Sequence, residues 1–336
     1  MDAPHSRGAD AWVPDVLGPS FEQLSLPLAP DDEGEVVATL VRPVAPPPLD
    51  RGIDVLYVHG WSDYFFQTAL ADFWQGLGAR FHALDLRKYG RSMRAHQTPG
   101  YVTDLATYDE DIAAVLATLG PGRRLILMGH STGGLILSLW ADRHPGVAAA
   151  VVLNSPWLEL QTRQAGRAVL TPFVGIDARL HPQRAYPQLD LGLYSRSVSA
   201  SYDGEWTYDA AWRPDRGFPE RPGWLNAIFQ GHLAVSRGLH LDVPVLTLLS
   251  ARSDLRPRWS SEMMHADTAI DVVGVAIRAT QLGRLVTIVR LEGALHDVTL
   301  SARPVRDHAY QAMATWFDGY VLRPELAPTP AAVPPR

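Results

Sequence analysis

Six short apolar runs, each followed by an amphipathic stretch, constrain this chain more than any other feature. "IDVLYVHG", "RFHALDLR", "RRLILMGH", "AAAVVLNSP", "VPVLTLLSARSD" and "LVTIVRLEGALHD" are apolar almost throughout, as strands buried on both faces of a parallel sheet are. Between them, segments such as "TALADFWQGLGA" and "TYDEDIAAVLATLG" return apolar residues every three or four positions, the period of a helix with one buried face. Ahead of the six lie "FEQLSLPL" and "EVVATLVRP", separated by Asp31, Asp32, Glu33 and Gly34, which predicts an opening hairpin. The pattern predicts an α/β fold with a doubly wound, mostly parallel sheet of about eight strands.

One interruption breaks the alternation. From Ser155 to His240 there is no clean strand, and the segment holds Trp157, Phe173, Tyr186, Tyr194, Tyr202, Trp206, Tyr208, Trp212, Trp224 and Phe229. So aromatic a stretch has the means to bury itself and is no linker. It predicts a small helical cap over the strand ends, where open α/β sheets bind ligands, with about one in four of its aromatics facing a substrate. The expected division is a discontinuous core of residues 1–154 and 241–325, a cap of 155–240 and a proline-rich, disordered tail of 326–336.

Composition removes whole classes of function. With no cysteine among 336 residues there is no disulfide, thiolate metal site or cysteine nucleophile. A net charge of -6 gives no footprint for nucleic acid. Arginine supplies nearly all the cations, Lys88 being the only lysine. The first twenty residues lack the apolar core of a signal peptide, and no stretch reaches bilayer-spanning length. A cytoplasmic protein, monomeric or homodimeric, is the expectation.

The chemistry enters at "LILMGHSTGGLILSLW", where an apolar strand changes period into a helix. In "GHSTG" the glycines stand two before and two after Ser131. A strand that passes into a helix through one residue strains that residue's backbone and leaves its neighbours no room for a β-carbon. The hydroxyl is thereby presented at a helix start, whose free N–H groups stabilise developing negative charge. Such a motif arises by chance in many chains; its setting between strand and helix makes it specific.

Serine is a poor nucleophile alone, so a base must take its proton and an acid must hold the base. Both are expected past later strands, acid first. Asp254 ends the fifth apolar run and His296 nearly ends the sixth, 42 positions apart (296 minus 254). That interval predicts one helix, "SSEMMHADTAIDVVGVAIRATQLG", and a return strand. Asp267 and Asp271 are rival acids, but that helix would contain them. Asp297 is expected to cap the segment after it. Of the other histidines, His59 is expected to brace a loop, His130 to be turned away by strand alternation, and His308 to lie in the C-terminal helix. The oxyanion donors are expected to be the backbone N–H groups of Thr132 and of Trp61, the latter following the His-Gly pair.

Taken together, "VHGWSDYFFQ", "DLRKYGRS", "GHSTGG", "SARSD" and "GALHD" resemble the α/β-hydrolase superfamily, and within it the serine hydrolases that include monoacylglycerol lipases, lysophospholipase-like esterases and S33-type aminopeptidases. The resemblance spans most of residues 35–320. It implies a triad of Ser131, Asp254 and His296, oxyanion donors at Trp61 and Thr132, and no metal or organic cofactor. "DLRKYGRS" departs from the family's Asp-x-Arg-Gly-His-Gly-x-Ser loop at Lys88 and Tyr89, which bears on substrate shape more than on chemistry.

The expected reaction is hydrolysis of a small to medium apolar or aromatic carboxylic ester, with Tyr64, Phe65, Phe66, Trp157 and Trp224 as candidate pocket residues. A second reading has Arg163, Arg167 or Arg252 gripping the carboxylate of a dicarboxylic monoester such as a monoalkyl phthalate. Aminopeptidase chemistry would call on acids such as Glu159 or Glu205 for a substrate ammonium. Dehalogenases and epoxide hydrolases of this architecture use a carboxylate nucleophile, against which Ser131 speaks. A non-catalytic receptor on the same fold would usually show a damaged triad, and none of the expected members is missing.

Overall fold

The computed structural model describes residues 11–160, 164–188 and 190–323, without the side chains of 164–171. Nine strands form one sheet: β1 (Val13–Asp15), β2 (Gly18–Asp31), β3 (Gly34–Pro43), β4 (Ile53–Val58), β5 (Ala79–Asp85), β6 (Arg124–His130), β7 (Ala148–Asn154), β8 (Val245–Ser250) and β9 (Val286–Leu291). They lie in the order β1-β2-β3-β5-β4-β6-β7-β8-β9. The first three pair antiparallel and the six expected apolar runs pair parallel. β2 and β3 turn at Asp31 and Gly34, the turn cluster read from the sequence; Gly34 has φ +106° and the Asp31 carboxylate accepts the Glu33 N–H.

Strand alternation divides the core in two. On β4, Ile53, Val55 and Tyr57 join the cluster that holds Trp74 of α1 (Thr68–Gly76) and Met313 of α8 (Arg303–Trp316). Leu56 and Val58 point the other way, into the cluster holding Ile112 of α2 (Tyr108–Leu119), Leu135 of α3 (Thr132–Arg143) and Val275 of α7 (Val272–Ala279). Burying each such side chain contributes about 1.5–3 kcal/mol. The wholly apolar strand sequences are thus the consequence of helices covering both faces.

Three features differ from the sequence expectation. The ninth strand, β1, is three residues long and too short to leave a pattern; its Asp15 holds Arg91 in a two-armed ion pair, Nε–Oδ2 2.6 Å and Nη2–Oδ1 2.8 Å. β9 is only half-buried over Val286–Val289 because it is the sheet edge, paired with β8 alone. The helix expected over 260–283 is broken into a 3₁₀ turn, Ser261–His265, an extended stretch and α7.

Between β7 and β8 the chain leaves the sheet and forms α4 (Gln164–Leu180), α5 (Leu193–Val198) and α6 (Pro222–Ser236). α6 puts Trp224, Ile228 and Phe229 against the helix side of the main core. Trp206 donates its indole N–H to the Leu300 carbonyl at 2.8 Å, tying this insertion to the loop after β9. Residues 326–336 lie outside the described residues.

Candidate active site

At the end of β6 the chain passes into α3 through Ser131 alone, with φ +51° and ψ -115°. A non-glycine residue held there costs on the order of 1–3 kcal/mol. The strain is held in place by hydrogen bonds: Ser131 N–H donates to Asn154 O at 3.0 Å, while Ser131 O accepts from the N–H of Gly134 at 3.0 Å and of Trp157 at 2.9 Å. The flanking glycines are sterically required. A β-carbon on Gly129 would stand 2.6 Å from Gly133, and one on Gly133 would stand 2.4 Å from the carbonyl oxygens of Val58 and His59. Both are far inside van der Waals contact.

The loop after β9 brings His296 to this turn, its Nε2 3.0 Å from Ser131 Oγ. The loop is fixed by Asp297, which caps the 3₁₀ turn after it through Thr299 N–H, as expected. Asn154, unsuspected from the sequence, links the two sides. Its carbonyl takes the Ser131 N–H, its Nδ2 donates to Asp297 Oδ1 at 2.6 Å, and its Oδ1 accepts Val298 N–H at 3.0 Å. The available signal was a polar side chain at the end of the otherwise apolar run "AAAVVLN".

The acid beside His296 is Asp267, not Asp254. Asp267 Oδ2 lies 2.8 Å from His296 Nδ1, so Nδ1 carries the proton and Nε2 is left to accept from the serine. Asp267 Oδ1 accepts the N–H groups of Ala269 and Ile270 at 2.8 and 2.9 Å, which orients the carboxylate and diverts the backbone from helix. Asp254 sits where the strand-end rule puts it, but its carboxylate is gripped by Arg256, Nε–Oδ1 2.8 Å and Nη2–Oδ2 2.5 Å. That guanidinium holds the Asp254 carboxyl below its usual range. The two loops run side by side, Asp254 N–H donating to Asp267 O at 2.7 Å. The expected helix hid Asp267; once the helix is absent, the rival acid lies in the better position.

Both expected oxyanion donors border the nucleophile. Thr132 is the first residue of α3, where an N–H has no acceptor inside the helix. Gly60 packs so tightly on the turn that a β-carbon there would be 3.1 Å from Ser131 Cβ, bringing Trp61 alongside. Trp61 N–H donates to no protein group among the described residues. His59 braces this loop as expected: Leu86 N–H donates to Nε2 at 3.1 Å, which leaves Nδ1–H to donate to Gly60 O at 2.7 Å. Burial holds His59 below its ordinary value, in the neutral state these two bonds require.

His130 does not turn away. Its ring lies 5.0 Å from that of His296, and Nδ1 is 3.5 Å from Asp63 Oδ2 and 4.0 Å from Asp297 Oδ2. Burial pushes its value down, but Asp297 and Asp63 outweigh that and leave it raised. Strand alternation fails here because β6 ends at His130.

A cavity of about 480 Å³ opens over Ser131 and His296. Trp61, Trp157, Leu191, Leu193, Tyr194, Leu255 and Ile270 supply much of its apolar wall; its charged groups are Asp63, Asp190, Arg213, Glu220 and Arg256. Of the aromatics expected in the insertion, only Trp157 and Tyr194 line it, among the described residues. Trp224 is buried behind Trp61, their rings 3.7 Å apart. Tyr64 and Phe65 are likewise packed inward: Tyr64 Oη accepts Asp209 N–H, and Phe65 joins the lower core. Phe66 packs on Tyr208. Arg252 pairs with Glu262, Glu159 with Arg278 and Glu205 with Arg306, and none of the three named first lines the cavity. Arg163 and the side chain of Arg167 lie outside the described residues. Lys88 is buried on the far side of the scaffold loop, 2.5 Å from both Asp31 and Glu33.

A family model described as "Serine aminopeptidase, S33" matches residues 53–269. The chain is 38% identical over 111 residues to a probable esterase of Oryza sativa subsp. indica, a match covering 31% of this chain and 39% of that one. It is 29% identical over 163 residues to a monoacylglycerol lipase of Mycolicibacterium smegmatis, covering 46% of this chain and 55% of the relative. These curated relatives are therefore matched over roughly two-fifths to just over half of their length. The fold is shared with the crystal structure of a monoacylglycerol lipase from Paleococcus ferrophilus, with TM-score 0.61, 19% identity and coverage of 80% of this chain and 95% of that one. It is shared as well with a soluble variant of the monoglyceride lipase of Saccharomyces cerevisiae, with TM-score 0.61, 16% identity and coverage of 94% and 99%.

Proposed function

This chain belongs to the serine aminopeptidase S33 family of α/β hydrolases, and from that premise we propose that it hydrolyses neutral carboxylic esters of small to medium size through an acyl-enzyme on Ser131. The observation that carries the reading is the continuous chain Ser131 Oγ, His296 Nε2, His296 Nδ1, Asp267 Oδ2, with links of 3.0 and 2.8 Å. His296 takes the serine proton as Oγ attacks the ester carbonyl, and Asp267 holds the imidazole in the required tautomer and stabilises its cation. The Trp61 and Thr132 N–H groups receive the oxyanion. His296 then passes the proton to the departing alcohol, and water, activated by the same imidazole, releases the acid.

The segment between β7 and β8 acts as a cap, residues 155–240, and with Leu255 and Ile270 forms an apolar wall for the substrate. Its charges favour neutral esters over monoesters of dicarboxylic acids. Arg213 and Arg256 are already paired with Asp63 and Asp254, and a substrate carboxylate would meet Asp190 and Glu220.

A panel of p-nitrophenyl esters of graded acyl length, with a monoacylglycerol and a phthalate monoester, tests the reading against Ser131→Ala. Turnover of the neutral esters by the wild type only, and a fluorophosphonate adduct mapped to Ser131, are expected. Equal turnover by both proteins, or an adduct on another serine, would overturn it.

A further inference from the structure

The stretch that carries the Trp61 donor has an unusual mode of attachment. Among the described residues, the backbone of 61–64 makes no hydrogen bond to another element of the fold; it has only the local turn at Trp61 and Ser62. The chain before it is tied by His59, and the chain after it by Phe65, whose N–H donates to Asp85 Oδ1 at 3.0 Å and whose carbonyl accepts from Arg91 at 3.1 Å. In between, Ser62 stands at φ +52°, a conformation that needs support. Side chains supply most of it: from the core, Tyr89 packs on Trp61 and His130 Nδ1 lies 3.5 Å from Asp63 Oδ2, and the remaining partners come from the insertion. Trp61 packs on Phe218 and Trp224, Tyr64 Oη accepts Asp209 N–H at 2.7 Å, and Asp63 Oδ1 accepts Arg213 Nε at 3.1 Å.

The last of these is the one charged tie in that set. Arg213 and Asp63 are both almost wholly buried, and Arg213 lies against the rings of Tyr208 and Tyr194, 4.5 and 5.1 Å from its Cζ. Burial pushes the Asp63 carboxyl up, but Arg213, His130 and His59 together outweigh that and leave it lowered. The pair is not the two-armed fork of a purely structural salt bridge, for Arg213 Nη1 meets no acceptor. Asp63 itself lies two residues past the proposed oxyanion donor and faces the same cavity as Ser131.

We propose that Arg213 is a positioning residue for the oxyanion loop: through Asp63 it sets the Trp61 N–H over Ser131 and cancels a carboxylate that would oppose the negative charge formed there. This rests on the esterase reading above. Two consequences follow from elementary electrostatics. Removing Arg213 alone frees the loop and also leaves a buried anion beside the reacting oxygen, whereas removing the charge of Asp63 frees the loop and leaves a cation, which does not oppose the negative charge formed there. The double variant should therefore be better than the arginine variant alone, the reverse of what two independent losses give.

The test is kcat and KM on a p-nitrophenyl ester for Arg213→Met, Asp63→Asn, their combination and Arg213→Lys. Expected are falls in kcat of about 100-fold, 10-fold and 10-fold for the first three, with KM within about threefold of wild type and partial recovery by the lysine. A preserved kcat in Asp63→Asn, a change confined to KM, or a double variant worse than both singles overturns the proposal. Should Arg213→Met not fold, Asp63→Asn and the double variant still decide it. Fluorophosphonate labelling of wild-type Ser131 separates the outcomes. Failure of that labelling sinks the esterase reading, whereas labelled wild type with unchanged kcat among the variants sinks the positioning role of Arg213.

Discussion

The turn that carries Ser131 and the loop that carries its acid lie at the same edge of the sheet, two strands apart, and are held by different means. At the turn, the residues that must be small or strained all fall within five positions: Gly129 and Gly133 leave no space for a side chain, and Ser131 between them has φ +51° where β6 passes into α3. At the acid loop, two carboxylates compete, and the choice needs two loops brought together and a histidine 29 residues beyond Asp267, besides the local bonds each acid makes. Ser253 and Asp267 are bridged across the two loops, Arg256 draws Asp254 away, and the N–H groups of Ala269 and Ile270 aim Asp267 at His296. Local sterics can be read from a short motif. A contest between two acids is settled only by the fold.

The sharpest way to break this comparison is Asp267→Asn. With the imidazole no longer held in the right tautomer, kcat should fall by about 1,000-fold or more, while a fall under tenfold would return the role to Asp254. Next in size is the other side of the comparison, Gly133→Ala, whose new methyl group would stand 2.4 Å from two carbonyl oxygens. A loss of about 3 kcal/mol is expected, read as a lowered unfolding midpoint with weaker labelling of Ser131; a variant as stable as wild type would show the turn to be less confined.

A smaller effect should appear on acidification. His59 is held below its ordinary value by burial, so its contribution is complete above about pH 6.5, the unperturbed histidine value, and is lost as pH falls through its folded value. His82 acts in the same sense, also through burial, whereas His130, raised on folding, acts in the opposite one. The unfolding midpoint should drop from pH 7 to 5 in wild type and drop less steeply in His59→Leu; parallel curves would remove His59 as the brace. Smallest of all is Asp254→Asn. Its partner Arg256 is largely exposed and screened by solvent, so the pair contributes little, and kcat should stay within about threefold of wild type. Loss of activity here would revive the acid that the strand-end rule favours.

The same division explains what could be read in advance. The six parallel strands, the hairpin at Asp31–Gly34, Ser131, His296, the loop bearing Trp61 and the helix start at Thr132 all rest on periodicity or on steric demands that act over a few residues. Asp267 was hidden because its neighbours "SSEMMH" and "IDVVGVAIRA" have helical composition; the helix is broken between them by the Ala269 and Ile270 N–H groups donating to the Asp267 side chain and by its backbone pairing with Arg252 and Asp254. Asn154 and Arg213 left no pattern for a different reason: their partners, Asp297 and Asp63, lie 143 and 150 positions away. Tyr64 and Phe65 misled because an aromatic run after an oxyanion loop can face either the cavity or the core, and composition does not say which.

Lys88 gives the molecule a property unrelated to catalysis. It is the chain's only lysine, and its ammonium is closed in between Asp31 and Glu33 at the tip of the β2–β3 hairpin. Amine-acylating reagents therefore find no reactive side chain on the intact surface, and each acylated lysine records one event in which the hairpin has come away from the loop beneath it. The rate of that modification is a built-in clock for the first separation of the antiparallel strands from the rest of the sheet.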